Sequence, residues 1–228
     1  MPREDGPFRS IVPYIMSSDF EQLPVSGRVV GVVIAGGRSV RFGGEKAVAG
    51  LAGEPLLMWA AARLARSCVA VAINARPDTE AEALARAEGF TVLHDMSGDA
   101  AGPLSGVKVG LHWAQKLGAS AVAVSPCDVP LLPKDVFARL IQAAGTGAAM
   151  AETEEGHQPQ CAVWPVSALP KLTAALANGA HPATWLMLES IGAIRVRFSP
   201  PDVFANVNTR ADLAAIAGRL ERGECELR

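Results

Sequence analysis

Residues 29–35 form an apolar run broken only by Gly31, and most of its side chains are β-branched. A run this short with that chemistry suits a strand covered by helices on both faces. It opens directly into Gly36-Gly37, Arg38, Arg41, Gly43-Gly44 and Lys46. Glycine lets several N–H groups face one side of a loop, and it lets a ligand approach the main chain closely. With two or three cations beside them, those donors make a cradle for phosphate. The letters fit neither common phosphate loop. Lys46 is followed by Ala47 where a Walker A loop needs Ser or Thr, and Gly36-Gly37 does not begin a G-x-G-x-x-G. The competing reading is a surface turn after a core strand, although two glycine pairs with Lys and Arg exceed what a turn requires.

Beyond this loop the pattern alternates. Pro55 opens a helix rich in Leu and Ala, and 69–73 is an apolar run ending at Asn74. Residues 78–88 read as a helix with an acidic first turn, and 90–93 as a strand ending at His94 and Asp95. Gly102-Pro103 opens a helix in which Leu104, Val107, Leu111 and Ala114 recur at helical spacing. A strand over 121–124 runs into Ser125-Pro126-Cys127-Asp128, and a helix follows over 134–144. Strands are expected at 147–151 and 161–164 with a polar loop between them, helices at 167–177 and 182–190, and strands at 194–198 and 204–207. Thr209 caps a last helix that carries Leu213, Ile216 and Leu220 on one face. Strands and helices in alternation, joined by long crossovers, predict an α/β fold with a mostly parallel sheet and helices on both faces.

At 228 residues, half of them hydrophobic, the chain can bury one sizeable core. Residues 1–27 contain Pro2, Pro7, Pro13 and Pro24 without periodicity and read as a flexible tail, leaving 28–228 as a single domain. The net charge of −2, with no basic run, argues against a nucleic-acid surface. Cys68, Cys127, Cys161 and Cys225 lie far apart and form no C-x-x-C pair, which points to reduced thiols in a cytoplasmic protein. No apolar run reaches the roughly 18 residues of a membrane span, and the first residues carry no signal-like apolar stretch.

In open α/β sheets ligands bind outside the carboxyl ends of the strands. The glycine loop, Asn74, His94, Asp95 and Asp128 all fall there. A carboxylate at Asp128 suits Mg²⁺, a hard cation usually shared with substrate phosphates; a turn or cap aspartate is the plain alternative. Asp95 can accept paired N–H donors from a guanine edge or bond a ribose hydroxyl, or else Asp95 or Asp99 caps the next helix. Asn74 either reads a base or satisfies its own turn. Gly102 to Gly106 places glycine at a helix entrance, where backbone N–H groups welcome anions, and Gly106 equally fits a close-packing position. His94, His112, His157 and His181 have no metal-ligand spacing, and Ser39 and Ser105 have no partner that suggests a nucleophile.

Four segments, IAGGRSVRFGGEKA, HDMSGDAAGPLSG, SPCDVPLLP and FANVNTRADL, occur in this order. Together they resemble the molybdenum cofactor guanylyltransferases, relatives of the sugar-nucleotide pyrophosphorylases, over about residues 28–220. The resemblance implies a Rossmann-like nucleotidyltransferase fold. It implies transfer of GMP from GTP to the phosphate of molybdopterin carrying molybdenum, with release of pyrophosphate. It also implies main-chain contacts to the nucleotide from Ile34, Ala35 and Gly36 beside Gly37, with Lys46 on the phosphates and Arg41 near the triphosphate. Asn74 and Asp95 match GTP-binding positions, Asp128 the position that binds both GTP and Mg²⁺, and Asn206 and Asn208 the segment near the pterin. Lys46, Arg41 and Asp128 are thus the expected catalytic set. GTP and molybdopterin are the expected partners, followed by the molybdoenzymes or chaperones that receive the product. The chain departs from the family pattern at Glu45-Lys46, usually Asp-Lys, and at Gln158-Pro159 beside His157, usually His-Pro. The remaining readings are a cytidylyltransferase acting on the same pterin, a sugar-nucleotide pyrophosphorylase, and a nucleotide-binding protein without turnover.

Overall fold

The computed structural model describes residues 28–224 apart from residues 38, 97 and 99–101. The expected tail at 1–27, the cation Arg38, the candidate cap Asp99 and the thiol Cys225 lie outside the described residues. In chain order the elements are β1 (Val29–Ile34), a small hairpin of β2 (Gly50–Leu51) and β3 (Glu54–Pro55), α1 (Leu56–Ala65), β4 (Val71–Asn74), α2 (Glu80–Ala87), β5 (Thr91–Leu93) and α3 (Pro103–Lys116). They continue with β6 (Ala121–Pro126), α4 (Val136–Ala144), β7 (Ala149–Thr153), β8 (Gly156–Pro165), α5 (Leu169–Ala175), α6 (Thr184–Ser190), β9 (Ile194–Arg197) and α7 (Arg210–Glu221).

Side-chain alternation along β1 explains why it lies at the centre. Val29 and Val33 face one core with α1, α2 and α4, while Val30 and Val32 face a second with α3, α5 and α6. Strand β6 repeats the division, with Ala121 and Ala123 on the first side and Val122 and Val124 on the second. A strand with apolar residues on both sides has no face to offer water, so the sheet must be sandwiched. The seven-stranded sheet runs β5-β4-β1-β6-β8-β7-β9. Strand β1 pairs in parallel with β4 and with β6. Strand β8 is antiparallel to both its neighbours, and β9 returns to a parallel pairing with β7. From β1 the chain builds outward through β4 and β5, then crosses to β6 on the other side. That reversal opens a crevice at the carboxyl ends of the central strands. A third, smaller core joins Phe42 of the glycine loop, Leu51 and Leu56 to Leu131, Val207 and Ile216 of α7. Among the described residues, no helix is long and apolar enough to cross a membrane.

Two expected elements differ. The polar stretch after residue 151 is not a loop: Glu152 pairs with His157 and Thr153 with Gly156, so β7 and β8 meet in a tight hairpin. Its polar letters reflect exposure, since residues 156–160 are half-buried or exposed, whereas residues 161–165 enter the core. A register shift between Met150 and Ala151 lets one hairpin serve both environments. Residues 204–207 are not a strand. Pro201–Phe204 is a 3₁₀ turn that buries Phe204, and Val207 donates a single backbone hydrogen bond to the Asp128 carbonyl at 2.8 Å.

Strand β1 and α1 meet closely at Gly31. A Cβ there would lie 2.9 Å from the Leu64 Cβ and 3.3 Å from the Cys68 sulfur. Gly31→Ala is therefore expected to push α1 off β1 and to cost about 1–3 kcal/mol, read as a lower denaturant midpoint with an unchanged slope.

Candidate active site

The carboxyl ends of β1, β4 and β6 open into a cavity of about 620 Å³. Its wall gathers Ile34, Gly36, Gly37, Lys46, Asn74, Asp95, Asp128, Asn206 and Asn208, residues spread from one end of the domain to the other in sequence. Ala35 points away from the wall, buried in the first core, and its amide donates to the Asn74 carbonyl at 2.8 Å. Arg41 is exposed and is not among the lining residues; its charge bears on Asp212. Four wall residues were given no site role from sequence: Arg76, Pro126, Cys127 and Gln160. The readable signal for Arg76 was a cation two positions beyond the strand-ending Asn74.

One end of the cavity is polar and charged. The Lys46 ammonium donates to the Asp128 carboxylate, and the Asn208 amide oxygen lies 3.5 Å from the same nitrogen. Lys46 reaches this place because the loop is held at both ends. Phe42 is buried in the third core, Gly43 takes a φ of +74° that favours glycine, and the Lys46 amide donates to the Ser39 hydroxyl at 3.4 Å. Asn208 is set by the capping box of α7. Thr209 accepts from the Asp212 amide, and the Asp212 carboxylate accepts from the Asn208 and Thr209 amides at 2.9 and 2.8 Å. Those two backbone donors hold the Asp212 carboxyl below the usual carboxylate range. Burial, with Asp128 adjacent, pushes the Cys127 thiol up to about 12, so it remains a protonated wall residue at neutral pH.

The other end is framed by amides and glycine. The Asn74 amide donates to the Asp95 carboxylate at 2.9 Å and to the Leu93 carbonyl at 3.2 Å, so it reaches across from β4 to β5 and orients Asp95. Its oxygen faces Gly106, where a Cβ would come within 2.4 Å of that oxygen and 2.6 Å of the Ile34 Cδ1. Gly106 is thus a close-packing glycine on α3 that makes room for Asn74. His181 packs over Gly102 and accepts from the Leu104 amide at 3.3 Å, which fixes the entrance of α3. The aspartate expected as a possible cap, Asp95, belongs to the cavity wall; the residue before α3 is Gly102.

A lysine bearing on an aspartate at one end, and a hydrogen-bonding edge at the other, suit a nucleoside triphosphate held along the rim of a parallel sheet. Fold and cavity together define a nucleotidyltransferase. The sequence profile of the MobA-like NTP transferase domain matches residues 31–190, and the chain belongs to that family. It is 38% identical over 197 residues to the molybdenum cofactor guanylyltransferase of Rhodobacter capsulatus, covering 86% of this chain and 98% of that protein. Among solved structures it is similar to molybdopterin-guanine dinucleotide biosynthesis protein A from Archaeoglobus fulgidus, with a TM-score of 0.69 at 20% identity over 85% of this chain and 99% of that one. A Mycobacterium tuberculosis protein solved as its manganese complex shares the fold, with a TM-score of 0.63 at 17% identity over 84% of this chain and 98% of that one.

Asp212 generates a test of how the site is held. A carboxyl held below its unfolded value of 3.8 stabilises the fold fully above that pH and loses the contribution as pH falls through the folded value. Asp212→Ala is expected to be less stable than the parent at pH 7, with the gap closing below pH 3.8. Denaturant unfolding across pH 2–7 measures it, the range being roughly that over which carboxylates titrate.

Proposed function

We propose that this chain transfers GMP from GTP to the phosphate of molybdopterin, releasing pyrophosphate and forming a guanine dinucleotide form of the molybdenum cofactor. The observation that carries the reading is the contact between Lys46 and Asp128 in the same cavity as the Asn74–Asp95 pair. The guanylyltransferases to which the chain is 36–38% identical over most of its length support the same substrates.

In this reading the base lies against the Asn74–Asp95 edge, where the Asp95 carboxylate can accept the paired N–H donors of guanine. Gly36 and Gly37 let the nucleotide approach the main chain. Lys46 draws the triphosphate toward Asp128, and Asn206 and Asn208 face the acceptor. A phosphate oxygen of the pterin substrate attacks the α-phosphorus in line. The new P–O bond forms as the α–β bond breaks, and the electron pair leaves on pyrophosphate. The attacking phosphate is already largely ionised, so no side chain needs to act as general base. What the chain supplies is alignment of two anions that repel one another, with stabilisation of the charge that builds on the leaving group. Arg41, from its exposed place on the loop, is the candidate to meet the outer phosphates.

The residues fit a magnesium ion. Asp128 offers a hard carboxylate oxygen, Asn206 and Asn208 add amide oxygens on the same wall, and the ammonium resting on Asp128 marks a position suited to a cation. Among the described residues there is no group of three or more His, Cys, Asp or Glu able to hold a metal. One carboxylate with substrate phosphates is the usual way magnesium is held. When bound, the ion supplies neutralisation of the developing pyrophosphate charge. The mycobacterial manganese complex supports a divalent cation in this fold. The free thiols Cys68, Cys127 and Cys161 suit a reducing compartment, and the cytoplasm is the proposed location. The product would pass from there to molybdoenzymes or their chaperones.

The test pairs the purified chain with molybdopterin, Mg²⁺ and GTP, CTP or ATP, and follows pyrophosphate release. Release with GTP alone is the expected result, and a preference for CTP overturns the assignment of the base. Asp128→Ala is expected to lower turnover about 100-fold to 1000-fold. A variant that bound nucleotide more weakly with no turnover in the parent either would mark a passive binder.

A further inference from the structure

The cavity wall holds four charged residues among those described: Lys46, Arg76, Asp95 and Asp128. Lys46 is already engaged by Asp128, and Asp95 by Asn74. Arg76 stands differently. Its stem runs beside the first glycine of the loop, where a Cβ on Gly36 would lie 3.9 Å from the Arg76 Cγ and 3.7 Å from the Asn74 amide oxygen. Its guanidinium is 3.7 Å from the Glu45 carboxylate, too far for a direct hydrogen bond, and 43% of the side chain remains exposed. A triphosphate carries more negative charge than one lysine and one divalent cation offset, and a guanidinium with open donors matches phosphate oxygens in pairs.

Glu45 explains how the arginine comes to be there. One carboxylate oxygen accepts from the Ala81 amide at 2.7 Å in the first turn of α2, and the other faces Arg76. Glu45 is also the residue before Lys46. One side chain therefore ties the loop end to α2 and holds a second cation above the cavity.

We propose that Arg76 is a nucleotide-binding residue that contacts the triphosphate, and that Glu45 is its positioning residue. The inference rests on the proposed use of GTP. Glu45 gathers Arg76 near the glycine loop before the ligand arrives, and the ligand then draws the guanidinium onto phosphate oxygens.

Calorimetric titration with GTP, GMP and guanosine in the presence of Mg²⁺ tests it. Arg76→Ala is expected to weaken GTP about tenfold, as loss of one charge-assisted contact would. Guanosine affinity should stay unchanged, and Arg76→Lys should recover part of the loss. Steady-state kinetics should show the change in KM for GTP with kcat nearly constant. Glu45→Asp keeps the charge but shortens the reach, so it should weaken GTP about threefold with Arg76 present and not at all beside Arg76→Ala. Unchanged GTP binding in Arg76→Ala, or an equal loss for guanosine, sinks the phosphate contact. Equal losses from Glu45→Asp in both backgrounds sink the positioning role. A parent chain that binds no GTP sinks the proposed function itself.

Discussion

The meeting of Lys46 with Asp128 is the interaction around which the molecule is arranged. Eighty-two positions separate the two residues, and each is delivered by a different device. Lys46 ends a loop anchored by Phe42 in a small core against α7. Asp128 follows a strand whose every residue is buried. A lysine and an aspartate largely removed from water hold each other in place, because separating them would leave each desolvated and unpaired. The same attraction leaves the ammonium beside the one carboxylate at that end of the cavity, so an incoming polyphosphate meets a positive group already turned inward.

Support for this contact arrives from the far end of the chain. The capping box of α7 is a local device, four residues long, that satisfies the open amides of a helix start. Here its carboxylate also takes the Asn208 amide and so sets the side chain that faces Lys46. Val207, one residue earlier, is bonded to the Asp128 backbone. Two short hydrogen-bonded turns thus close the active rim without any strand, where the letters of 204–207 had looked extended. Apolar composition signals burial there, but burial was achieved by a 3₁₀ turn and one ladder-like bond, which period-2 reasoning does not distinguish.

Most of the sheet was legible because its central strands are apolar on both sides, and that pattern has few other solutions. The strand ends were legible for the same reason: once the strands are drawn, Asn74, Asp95 and Asp128 must fall on one edge. What sequence could not rank was direction and reach. Ala35 lies inside the run that leads to the cavity, yet its amide is taken by the sheet. Arg41 sits in the loop yet is not among the lining residues, while Arg76, which carries no motif, is. These differences depend on loop dihedrals and on side-chain partners such as Glu45, neither of which leaves a periodic trace. The polar half of β8 misled for a related reason, since a strand that projects beyond its covering helices loses its apolar letters while keeping its ladder.

That projecting hairpin has a consequence for how such an enzyme can change. Gln160, on its polar half, reaches the cavity wall, whereas the residues from Cys161 onward are locked into the core. Substitutions at residues 156–160 alter the rim while leaving the packed interior untouched. The Gln160 side of the rim can therefore take new side chains at small thermodynamic risk, while the Asn74–Asp95 end, packed against a Gly106 that has no room for a Cβ, cannot.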